Sequence, residues 1–183
     1  MRKILFIVPH LKNGGAERVM TFIFSNINKE LFDPHLLVLG FRRDSKIHVI
    51  SGNVYYLNKT RFRHSIIDIL KHIRKIKPLI LFSSIGHINY FLCFYKLFYP
   101  KKIIVIRESN VKSERKKYSN TILFPKLFSS FLLKKADKVI SQSNDMTDDL
   151  ILNYKIPENK LVTISNPITR KLKIKPERKF ENN

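Results

Sequence analysis

Six apolar runs of strand length, separated by stretches of helical periodicity, constrain this chain more than any other feature. The runs fall at residues 4–8, 36–41, 79–82, 103–106, 139–140 with their neighbours, and 161–164. They are mostly continuous rather than alternating, as expected of strands buried on both faces. Between the first two, Ala16, Val19, Met20, Ile23 and Ile27 share one helical stripe, with Glu17, Arg18 and Asn26 off it. A broader stripe, Ile66, Ile67, Ile69, Leu70, Ile73 and Ile76, stops at Lys77 and Pro78. Strand and helix in alternation predict an α/β fold: a doubly wound, mostly parallel, Rossmann-like sheet with helices on both faces. No internal repeat interrupts the pattern.

Three later segments extend it. Residues 119–136 read as a helix with Pro125 near its start and Lys134 and Lys135 in its last turn, where cations complement the helix dipole. In "SQSNDMTDDLI", Ser143 or Asn144 can cap a helix whose first turns hold Asp145, Asp148 and Asp149. "IPENKLVTISNPI" gives a turn, a short strand and a break at Asn166 and Pro167. Residues 79–99 approach the length of a membrane span, but Ser83, Ser84, Gly86, His87 and Asn89 interrupt them, so strand, turn and helix are expected.

With 183 residues and 44% hydrophobic content, the chain can bury one core of ordinary size. A domain over 1–165 is expected, followed by a basic, linker-like tail at 166–183. Lys and Arg number 35 against 14 acids, for a formal charge of +21. Such a field favours polyanions, acidic membranes or phosphorylated ligands without choosing among them. A lone cysteine, Cys93, excludes an internal disulfide framework and fits a reducing, cytoplasmic compartment. The first apolar run is too short for a secretion signal and meets Pro9 and His10. Nothing pairs His10 with a Cys or another His at metal-ligand spacing, and Cys93 lies among aromatic residues, so no metal is predicted.

The junction "PHLKNGGAERVM" poses the functional question. Loops at strand carboxyl ends of open parallel sheets face the ligand crevice, and Gly14 and Gly15 would let backbone amides approach a ligand closely. The helix start behind them offers unsatisfied N–H groups and partial positive charge, a seat for phosphate. The spacing is neither the dinucleotide fingerprint nor a P-loop, so the residues alone leave a tight turn and an anion site equally open.

"GGAERV" after a strand opening "KILFIVPHL" resembles the amino-terminal domain of retaining glycosyltransferases of family four, which carry two Rossmann-like domains facing across a cleft, the GT-B architecture. "KADKVISQSNDMTDDLI" and "IPENKLVTISNPI" are similar to later segments of that domain, in the same order, so the resemblance covers residues 2–168. It implies that this domain shapes the acceptor site, that Gly14 and Gly15 close over the donor phosphates, and that a carboxyl-terminal domain, absent from this sequence, grips a nucleotide-diphosphate sugar. It further implies transfer of a hexosyl or N-acetylhexosaminyl group to a glycan or lipid-linked acceptor in surface polysaccharide or glycolipid synthesis. No cofactor is implied. A separate polypeptide supplying the donor domain and a truncated chain both fit, and in either case activity alone is doubtful.

"IRESN" at 106–110 lies at another strand end on the same edge, so Arg107, Glu108, Ser109 and Asn110 join His10 and Glu17 as acceptor or cleft candidates. Many relatives place a histidine near this point and this sequence does not, which leaves three roles for Glu108: binding acceptor hydroxyls, catalysis as a base, or an ion pair with Arg107. Arg107 has the better claim to phosphate or sugar. Aromatic residues on two helices, Phe91 to Tyr99 and Phe124 to Leu132, have lysines at their flanks. Core packing against the sheet and peripheral contact with the inner face of the cell membrane both account for them. A basic nucleic-acid-binding module is the alternative class, but no helix-turn-helix, zinc-finger or RNA-binding aromatic motif supports it.

Overall fold

The computed structural model describes residues 1–47, 49, 52–109 and 126–167. The strands are β1 (Arg2–Val8), β2 (Phe32–Val38), β3 (Asn53–Tyr56), β4 (Ile80–Ser83), β5 (Ile103–Arg107), β6 (Lys138–Ser141) and β7 (Leu161–Thr163). The helices are α1 (Gly15–Asn26), α2 (Ile66–Ile76), α3 (Gly86–Phe98), α4 (Lys126–Leu133) and α5 (Asn144–Tyr154). One sheet holds all seven strands in the order β3-β2-β1-β4-β5-β6-β7, and every pairing is parallel. Right-handed crossovers place helices on opposite faces according to the direction of travel along the sheet. Thus α1, with Met20 and Phe24, packs on Phe6, Leu36, Val38 and Phe82. On the other face α2 to α5 bury Ile69, Ile73, Leu92, Leu132 and Leu150 against Leu5, Ile7, Leu81 and Ile106.

The continuous apolar runs are explained by this two-sided burial: Leu5, Phe6, Ile7 and Val8 of β1 are all 0% exposed. On α2, Ile69, Ile73 and Ile76 form the inward stripe, each side chain stabilising the fold by roughly 1.5–3 kcal/mol if fully buried. The helix ends where the sequence says it must. Lys77 takes the left-handed conformation at φ 53°, its N–H bonds to Ile73 O at 2.9 Å, and Pro78 follows. At α5, Ser143 is the N-cap and its Oγ accepts from Met146 N at 3.3 Å. Lys155 closes that helix with φ 53°, and Ile156 N bonds back to Leu150 O at 3.2 Å.

Several expectations needed correction. The second strand runs over Phe32–Val38 rather than 36–41. Its start is hidden by Pro34, tolerated because the ladder to β3 begins only at His35. β3 went unseen because its four residues are half-buried or exposed and polar at the start. The buried side of α1 is broader than the expected stripe: Val19 and Met20 are buried as expected, Glu17, Thr21 and Phe24 join them, and Ala16, Ile23 and Ile27 are half-buried. Residues 79–99 do split into β4 and α3, and among the described residues no helix is long and apolar enough to cross a membrane. Cys93 is fully buried in the core. Pro125 and the tail from residue 168 lie outside the described residues.

Candidate functional site

In this strand order the chain travels one way from β1 to β2 and β3 and the other way from β4 to β7, so the topological switch point falls between β1 and β4. All carboxyl ends share one edge. The loops that leave β1 and β4 there carry His10 to Gly15 and Ser84 to Gly86.

Neither Gly14 nor Gly15 is needed for a left-handed turn. Gly14, the N-cap of α1, is extended at φ −76°, and among the described residues the one glycine with positive φ is Gly52. What Gly14 accommodates is a side chain. A Cβ there would fall 1.9 Å from a carboxylate oxygen of Glu17. Glu17 stands at the third helical position, where a carboxylate reaches back over the cap, and its Oε1 lies 3.3 Å from His10 Nδ1. That contact is an ion-pair approach without hydrogen-bond alignment, since His10 Nδ1 is buried with no hydrogen-bond partner. Glu17 is 5% exposed, so this carboxylate is built in rather than a solvated surface acid.

Gly15 differs. No atom lies within 4 Å of where its Cβ would stand, and the residue is exposed. Gly86, the first residue of α3 on the far side of the switch point, is equally open. Two helix starts on either side of the switch point thus have room for a group beside their first residue. Beside Asn13 lies an open cleft of about 500 Å³ lined by Lys12, Asn13, Arg43, Asp44 and Lys46. It forms because the loop after β2 is tied to the loop after β1: Lys46 N and Ile47 N both bond to Leu11 O, at 2.8 and 3.0 Å.

At the ends of β4 and β5 sits a buried polar cluster. Asn89, on the first turn of α3 and fully buried, donates through Nδ2 to Arg107 O at 3.1 Å and to Glu108 Oε1 at 3.0 Å. Its Oδ1 accepts from Ser83 Oγ. Arg107, 2% exposed, donates to Ser84 Oγ at 3.0 Å and to Asn166 Oδ1. Burial lowers the pKa of this guanidinium from its ordinary value. Glu108 continues the sheet through its N–H to Ile140 O at 2.9 Å, and its carbonyl accepts from Gln142 Nε2 at 3.2 Å. Ser109 follows, half-buried, and Asn110 lies outside the described residues.

The structure therefore places His10, Gly14 and Glu17 in one contact group and Arg107 and Glu108 in another, both on the crevice edge. Sequence reading missed Ser84, Asn89, Gln142 and Asn166. The signal for Asn89 was present: a polar side chain among apolar neighbours that the helix turns inward. Among the described residues no group of His, Cys, Asp and Glu could hold a metal ion.

A seven-stranded parallel sheet with its switch point at a glycine-bearing strand end is a Rossmann-like, doubly wound domain, and it matches one half of GT-B glycosyltransferases. Structures of that class share the fold. HepE from Anabaena, in complex with UDP and glucose, matches with a TM-score of 0.65 and 15% identity over 91% of this chain and 44% of its own. A glycosyltransferase from Rickettsia africae matches at 0.58 and 23% over 90% and 42%. The lipopolysaccharide outer core galactosyltransferase WaaB matches at 0.60 and 15% over 98% and 50%. This chain thus spans half or less of each. No curated protein sequence matches it. The Glycosyltransferase Family 4 profile matches residues 13–171, and the chain belongs to that family.

Proposed function

We propose that this chain is the acceptor-side half of a retaining glycosyltransferase, acting from the cytoplasm on a glycan or lipid-linked acceptor. A nucleotide-diphosphate sugar is the donor, and a second polypeptide segment grips it. The observation that carries the reading is Arg107: a cation 2% exposed, whose hydrogen bonds among the described residues go to the neutral Ser84 and Asn166, at the ligand edge of a family 4 domain. A buried cation held by neutral groups is costly unless an anion is its partner for part of the working cycle. Leaving diphosphate or an acidic acceptor supplies one. The open backbone at Gly15 and the basic cleft beside it support the same sign of ligand.

In transfer, the acceptor oxygen bonds to the anomeric carbon as the bond from that carbon to the diphosphate oxygen breaks. Negative charge develops on the departing diphosphate, where fixed donors and cations act most strongly. Glu108, held by Asn89, receives the acceptor hydroxyl and orients it. The reading is tested by combining the chain with a donor-binding half encoded in frame or beside it, offering a panel of nucleotide sugars with lipid-linked acceptors, and assigning the product anomer by NMR. Sugar transfer with retained configuration is expected. Inversion would overturn the stereochemical part, and a donor half that binds nucleotide sugar yet yields no product with this chain would overturn the whole.

A further inference from the structure

Helices α3 and α4 pack against each other on one face of the sheet, and core burial does not account for their outer sides. On α3, Phe94, Leu97 and Phe98 are 45%, 41% and 66% exposed. On α4, Leu127, Phe128 and Phe131 are 86%, 41% and 48% exposed. The spacing puts each trio on one helical side, and the inward sides are supplied by other residues, Leu92 and Cys93 on α3 and Leu132 and Leu133 on α4. Exposed apolar area gathered on two adjoining helices marks an interaction surface.

Charge narrows the partner. Residues 86–103 and 126–136 contain no Asp or Glu. Each apolar side runs into lysines at its helix end: Lys101 after α3, and Lys135, whose Nζ sits 4.6 Å above the Phe131 ring. Helix-dipole complementarity explains lysines at that end but not phenylalanines in water. A second copy of this chain is disfavoured, because two molecules of formal charge +21 repel. We infer that the α3–α4 surface docks in the plane of an anionic phospholipid bilayer, its aromatic side chains at the acyl boundary and its lysines on lipid phosphates. The surface lies toward the carboxyl end of α3: Phe98 is on the order of 14 Å along the helix axis from Asn89, whose end of the helix borders the crevice. The docking itself does not depend on the transferase reading, and its test measures no transfer.

The chain contains no tryptophan, so Phe98→Trp installs a single reporter at an exposed position. With vesicles of phosphatidylcholine containing phosphatidylglycerol, its emission should shift to the blue and be quenched by brominated acyl chains; with phosphatidylcholine alone the shift should be much smaller. The triple variant Phe98→Ser, Leu127→Ser, Phe131→Ser should sediment with the anionic vesicles at least about tenfold more weakly than the parent, with an unchanged melting profile. Emission that stays at its aqueous wavelength would overturn the proposal. So would a triple variant that binds as well as the parent, which would leave charge alone as the cause, or a concentration-dependent dimer that the triple variant abolishes. If the triple variant fails to fold, the tryptophan reporter still decides.

Discussion

Asn89 Nδ2 donates at 3.0 Å to Glu108 Oε1, so a buried amide at the start of α3 sets the position of a carboxylate at the end of β5. The same group holds Arg107 O at 3.1 Å. Replacing Asn89 by Ala removes both of these hydrogen bonds, to the Glu108 carboxylate and to the Arg107 carbonyl. A loss of about 1–3 kcal/mol in urea denaturation is expected. Asn89→Asp should cost more, because it sets a second acid against Glu108. An Asn89→Ala variant as stable as the parent would show that the cluster is not structurally coupled.

Gly14 and Gly15 should part company on substitution. Gly15→Ala meets open space and should leave stability unchanged, whereas Gly14→Ala drives into Glu17. The colliding atoms are the end of a flexible side chain, so the cost should stay near about 1 kcal/mol. It should shrink in the Glu17→Ala background, a non-additivity readable in a double-mutant cycle. For activity the order reverses. Gly15→Val, with a bulky side chain over the open helix start, should abolish transfer in the reconstituted enzyme while the fold persists.

Arg107→Met separates function from stability. Removing a desolvated cation recovers its burial cost but leaves Ser84 and Asn166 without their donor, so the net change should lie within about 1 kcal/mol. Transfer should fall at least a hundredfold, the order of effect expected for loss of one charge-stabilising group. A variant that unfolds at low urea would instead mark Arg107 as a structural residue.

Tyr95 gives a pH dependence of known sign. Burial first, then its neighbour Tyr99, stacked at 4.3 Å between ring centroids, raise its pKa above the ordinary 10.0, with Arg74 opposing. The unfolded chain therefore releases this proton before the folded one does. The contribution is whole below pH 10 and is lost as pH rises through the folded value. Tyr95→Phe should weaken the fall in stability above pH 10, as followed by alkaline denaturation of the two proteins side by side.

The sheet was largely legible because two-sided burial writes itself as unbroken apolar runs, as in Ile4 to Val8. Caps were legible where chemistry is local: Ser143 at α5, Lys77 with Pro78 at α2. What escaped depended on the third dimension. Among the described residues β3 pairs on one side alone, with β2, so Val54 and Tyr55 need no continuous apolar signature. Glu17 could be placed near the cleft from its position in the chain, but its burial could not be read, since the sequence stripe drawn through Val19 and Met20 left it outside; Thr21 and Phe24 share its buried side, and His10 and Gly14 lie against its carboxylate. Of the site, Arg107, Glu108 and the glycines could be named from their place at strand ends; Asn89, Ser84 and Asn166 could not, because their roles arise from partners far away in the chain.

The all-parallel ladder also bears on how the molecule assembles. Among the described residues no strand has a neighbour joined by a tight hairpin, and the centre of the sheet needs Ile4 beside Ile80. During synthesis β1 can dock with β2 early, but its other edge stays unpaired until β4 has been made. Folding should be slow for the chain's size, dominated by distant contacts, and sensitive to association through that open edge.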